Sequence, residues 1–94
     1  MMNSSAHIQT TQASRIAKRL LNHWKHKFDV VDNATQYQIM MPSATILLTP
    51  QTHELVVKIQ VKNTETDLSY LEQVVLDHLS RMGQTELSAV WQRY

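Results

Sequence analysis

Cysteine is absent from the 94 residues, glycine occurs once and proline twice. Without thiols the chain forms no disulfide, no thiolate-bound zinc or iron–sulfur site and no cysteine nucleophile. One glycine cannot build a phosphate-cradling loop or a dinucleotide fingerprint, and there is no Gly-x-Ser-x-Gly turn. No apolar run approaches the roughly 20 residues of a membrane helix. The opening MMNSSAHIQT lacks the basic start and apolar centre of a signal peptide. These absences point to a cytoplasmic chain without membrane contact.

Acids are also missing from residues 1–28, which hold five of the nine Lys and Arg; the other four and all eight acids follow. The two parts thus carry +5 and −4 around a net charge of +1. A basic helix on an acidic body is one way to meet nucleic acid or an anionic surface. Here Arg15, Lys18 and Arg19, the possible anion contacts, spread around a helix with no Arg–aromatic cluster beside them. The preferred reading is that the halves neutralise each other within one fold, so nucleic acid is not the expected partner.

What is present is a strong helix signal over 11–28. At about 100° per residue, Ala13, Ile16, Ala17, Leu20, Leu21, Trp24 and Phe28 form one stripe. Thr11 suits the N-cap, and Lys25 and Lys27 suit the carbonyl end of the dipole. Before it, residues 1–5 read as a flexible tail and 6–10 as a short strand. After it, 29–31 is a short edge strand or an extended link, and 32–35 has turn composition.

Three strands follow. Tyr37, Ile39 and Met41 alternate with Gln36, Gln38 and Met40, 44–49 is apolar enough for a central strand, and Leu55, Val57, Ile59 and Val61 face one way opposite Lys58 and Gln60. Thr64 and Asp67 suggest a capping box for a second helix with a Leu68, Leu71, Val75, Leu79 and Met82 stripe. Gly83 is its expected left-handed stop. Residues 85–91 read as a closing strand with Leu87, Ala89 and Trp91 on one face. The order β-α-β-β-β-β-α-β, its second strand doubtful, gives an α+β class: a two-layer sandwich with both helices on one face of an antiparallel sheet, as a single domain over 6–94. Leu48, Met40, Val56 and Val90 are placed on the mixed outer face, a candidate surface for a protein partner or a second copy.

Five histidines are the chemistry on offer. His23 and His26, three apart on a helix, share a side. With His78 on the second helix, and Asp77 or Glu72 nearby, they could hold zinc, iron or haem. His-x-x-His lacks the acid of the His-Glu-x-x-His pattern. Four strands between the helices make the helices antiparallel and put His23 and His78, each near a C-terminal end, at opposite ends of the layer; three strands make them parallel and let the histidines meet, so the doubtful strand at 29–31 decides. The preferred reading is therefore separated histidines and no metal or other cofactor. Trp24 and Trp91 read as core anchors.

Three segments carry a family resemblance: His23-Trp24-Lys25-His26-Lys27-Phe28, 74–81 with Asp77-His78, and the closing 87–91 with Trp91. They resemble the bacterial family called domain of unknown function 2218, across nearly the whole chain. Members stand alone or joined to siderophore-interacting flavin reductases, so the resemblance implies an iron-acquisition setting, with His23, His26 and His78 as candidate site residues. The chain departs from the family pattern at Met82, where an aromatic is usual. The leading expectation is a non-enzymatic accessory or binding domain linked to iron or siderophore handling. The alternatives are a small histidine-dependent metal or haem enzyme and a nucleic-acid binder acting through the first helix.

Overall fold

The computed structural model describes residues 3–33 and 35–94. In chain order the elements are β1 (Ser4–Gln9), α1 (Ala13–Trp24), β2 (Asp29–Asn33), β3 (Gln36–Met40), β4 (Ala44–Pro50), β5 (Glu54–Val61), α2 (Leu68–Gly83) and β6 (Gln92–Arg93). They form the expected α+β order, with a sheet arranged β2-β3-β4-β5-β1-β6 and every neighbouring pair antiparallel. The doubtful second strand is a real edge strand. Val30 and Asp32 oppose Ile39 and Tyr37.

Period-two alternation decides which face is covered. Ala6 and Ile8 pair with Val57 and Leu55, and Ile46 and Leu48 with Ile59 and Val57. All of these side chains are buried beneath the helices, with Ile16, Leu20, Trp24, Leu71, Val75 and Leu79 in the same core. Leu48, expected outside, thus faces inward, because Ala44, Ile46 and Leu48 share one side of β4; Leu47 points out opposite Lys58. Val56 does lie on the outer side, opposite His7 and Thr49, and Met40 opposes Thr45 there. Val90 is exposed in the irregular segment before β6.

Several boundaries differ from the sequence reading. Ser4 and Ser5 belong to β1 rather than to a tail, while Met1 and Met2 lie outside the described residues, as does Ala34 of the expected turn. Asn3 is already anchored, since its side chain accepts from Val61 N–H at 3.1 Å and its backbone exchanges bonds with Tyr94 at 2.7 and 2.9 Å. The first helix is shorter than 11–28. Gln12 takes the N-cap position without a side-chain cap, and Thr10, not Thr11, accepts from Gln12 N–H. At the other end the Trp24 carbonyl accepts from both Lys27 and Phe28, a shared bond typical of a helix terminus, and β2 starts at once.

The second helix is capped by Asp67, whose carboxylate accepts from Tyr70 N–H at 3.1 Å; Thr64 lies in the turn before it, organised by Asn63. The left-handed residue at the end of α2 is Gln84 (φ 54°), not Gly83. Gln84 N–H reaches the Arg81 carbonyl and Thr85 N–H the Ser80 carbonyl, the paired bonds of a Schellman stop. Gly83 answers a different need. A Cβ there would sit 3.0 Å from Ile16 Cδ1, so its lack of a side chain allows the helices to approach. Residues 85–91 are not a strand. Leu87, Ala89 and Trp91 pack partly buried against the core, and only Gln92–Arg93 joins the sheet beside β1.

Candidate functional site

The stripe of α1 is buried and leaves the edges of the helix to its charged and histidine side chains. α1 and α2 run antiparallel, with Ile16 beside Gly83, Arg19 beside Met82 and His23 beside His78. Antiparallel packing was legible, but the stagger was not. α1 has 12 residues and α2 has 16. Ile16, in the first turn of α1, lies against Gly83, the last residue of α2, and His23, at the end of α1, lies beside His78. The carboxyl end of α1 therefore meets the middle of α2, and the expected separation of His23 from His78 is wrong.

The ring centres of His23 and His78 are 5.6 Å apart with a 48° tilt. Trp24 flanks His78 at 4.9 Å and packs edge-on to Phe28 at 6.1 Å. His78 is half-buried, and its Nδ1 lies 2.7 Å from the Val74 carbonyl. A carbonyl only accepts, so Nδ1 carries the hydrogen and donates, leaving Nε2 with the lone pair in the neutral ring. His26 does not join them. The helix ends at Trp24, and His26 lines a different hollow. Among the described residues no group of three or more His, Asp or Glu side chains is placed to hold one ion.

The possible anion contacts have mostly found partners within the fold. Lys18 Nζ donates to Asp32 at 2.6 Å and lies 5.8 Å from the Tyr37 ring centre. The hydrogen bond and charge of Asp32 hold the Lys18 ammonium above its ordinary pKa. Arg19 donates to the Met82 carbonyl at 3.0 Å, near the C-terminal end of α2, where a cation complements the dipole. Arg15 is exposed.

Just past α1 the chain makes an open hollow of about 470 Å³ between the helix end and the β3–β4 turn. Lys25, His26, Lys27 and Lys62 line it with a single acid, Asp29, and Phe28, Met40, Met41 and Pro42 supply apolar surface. Lys62 donates to the Met41 carbonyl at 3.3 Å, which draws its ammonium toward the turn. Sequence reasoning treated Lys25 and Lys27 as dipole partners and passed over Lys62. Nothing local links it to them, because the link is the meander that brings the end of β5 beside the β3–β4 turn.

A third cluster is structural. Ser4 donates to Glu72 at 2.5 Å, and Arg93 reaches both Glu72 oxygens at 3.0 and 3.3 Å and Ser69 at 2.7 Å. Burial pushes the Glu72 carboxyl up, but the bonds from Arg93 and Ser4 and the Arg93 charge together hold it below its ordinary value. The cluster ties β1, α2 and β6 together.

Comparison with known proteins adds a family and a neighbour. A family model described as an uncharacterised protein conserved in bacteria (DUF2218) matches residues 5–92. No curated protein sequence matches the chain. Among solved structures, the NMR structure of PA4090 from Pseudomonas aeruginosa is similar, with a TM-score of 0.80 and 29% identity over 98% of this chain and 96% of that one.

Proposed function

The chain belongs to DUF2218, a bacterial family of uncharacterised proteins, and we propose that it is a cytoplasmic, non-enzymatic accessory domain that holds an anionic small molecule of the ferric-siderophore class. The observation that carries this reading is the hollow beside α1. Three lysines and His26 line it against one acid, with Phe28, Met40, Met41 and Pro42 beside them. A ferric catecholate suits that lining: its strong negative charge meets the ammonium groups and its carbon rings can rest on Phe28, Met40 and Pro42. The hollow is open and shallow, which fits carrying or presenting a ligand better than excluding water for chemistry.

The test is calorimetric titration with a ferric catecholate siderophore, and with a neutral ferric hydroxamate as a control for size. Saturable binding of the catecholate is expected, weakening with salt and lost in a Lys25→Glu, Lys27→Glu, Lys62→Glu triple variant. Equal binding of the neutral complex, no binding of either, or affinity untouched by the charge reversal contradicts the reading.

A further inference from the structure

We propose that His23 and His78 form a two-imidazole site for a divalent late transition-metal ion, bridging α1 and α2 and separate from the basic hollow. Two imidazole nitrogens bonded to one tetrahedral ion at about 2.0–2.1 Å hold their ring centres about 5–6 Å apart. The observed spacing is 5.6 Å, and the 48° tilt shows that the rings are not stacked on each other.

The surroundings are those of a metal-binding histidine. His78 donates Nδ1–H to the Val74 carbonyl at 2.7 Å, which fixes the ring and leaves Nε2 as the coordinating atom. Trp24, 4.9 Å away, shields one side of that ring, while exposed His23 leaves an entry path for the ion. The nearby charges do not compete. Arg19, one turn before His23, is engaged by the Met82 carbonyl, and Asp77 accepts from Gln73 at 2.7 Å. With two protein ligands, the remaining coordination positions belong to water or to a small ligand. Imidazole donors favour copper and zinc; the observed spacing suits tetrahedral zinc, and the exposed His23 ring is free to turn to the tetragonal angle of copper(II), the tighter ion by the Irving–Williams order.

The experiment is calorimetric titration of tag-free protein with Cu(II) and with Zn(II), alongside electron paramagnetic resonance of the Cu(II) form. One saturable Cu(II) per chain with nitrogen coupling is expected, bound more tightly than Zn(II). Loss of a supporting hydrogen bond alone weakens metal sites by about 10–100-fold, so His23→Ala and His78→Phe should each cost at least about tenfold. His78→Phe keeps an aromatic ring against Trp24 but removes the coordinating Nε2 together with the Nδ1–H bond to the Val74 carbonyl, and His23→Ala changes an exposed position. His26→Ala and His7→Ala should leave affinity unchanged. Absence of a saturable Cu(II) site, full affinity in either His23→Ala or His78→Phe, or loss of binding in His26→Ala overturns the proposal.

Discussion

His78 lies against Trp24 with ring centres 4.9 Å apart, and through that contact the second helix meets the last residue of the first. With His23 only 5.6 Å from His78, the three rings form one body. His23→Ala and His78→Ala should therefore not add in their effects on unfolding free energy. Residues in contact couple by about 0.5–3 kcal/mol, so a double-mutant cycle by denaturant titration should return at least about 0.5 kcal/mol. A sum that closes within about 0.3 kcal/mol would show that the rings do not interact energetically.

The helix approach gives a second prediction. A methyl group on Gly83 meets Ile16 Cδ1 at 3.0 Å and Cγ1 at 3.3 Å, and Ile16 is fully enclosed in the core. Alanine is favoured over glycine by about 1 kcal/mol within a helix, but overpacking a core typically costs about 1–3 kcal/mol. Gly83→Ala should therefore lower stability. Ile16→Val removes Cδ1, so the double variant should lose less than the two single losses combined. A stabilised Gly83→Ala protein would mean that Ile16 yields freely and that the glycine answers some other need.

Much of this architecture was legible because burial is periodic. The stripe from Ala13 to Trp24 and the alternation of Leu55, Val57 and Ile59 identify core faces directly. Two kinds of feature were not. Relative helix stagger depends on lengths and end points, and Thr11 and Thr64 looked like caps although Gln12 and Asp67 hold those positions. At its other end α1 stops at Trp24 rather than Phe28, and His78 lies well before the end of α2, so His23 meets the second helix at a level the sequence does not show. Contacts made by strand register, such as Lys62 beside Lys25 and Lys27, leave no local pattern to read.

The Ser4–Glu72–Arg93 cluster predicts a pH effect. The Glu72 carboxyl is held below its ordinary value by Arg93 and Ser4 despite its burial. A depressed folded-state pKa stabilises the protein fully above the unfolded glutamate value of about 4.3. That contribution is lost as pH falls through the folded value. Ser4→Ala should cost about 1–3 kcal/mol near neutral pH, as for a hydrogen bond to a buried charge, and Glu72→Gln should flatten the acid limb of the stability curve. An acid limb with the same slope in Glu72→Gln would assign the acid sensitivity to other groups.

Leu20 has no exposed surface and sits in the core with Trp24 and Val75. Leu20→Ala should cost about 2–5 kcal/mol, read from the denaturation midpoint at unchanged slope. A midpoint shift no larger than that of Lys58→Ala, on the exposed side of β5, would remove Leu20 from the core.

The most direct test of the proposed function is amide chemical-shift mapping by NMR, using a gallium-substituted catecholate siderophore to avoid the paramagnetism of iron. Shifts concentrated on residues 25–29, on Met40 and Met41 and at Lys62, saturating together with one affinity, are the predicted result. Shifts confined to the outer sheet face around His7, Leu47 and Val56, or none at saturating siderophore, would contradict it.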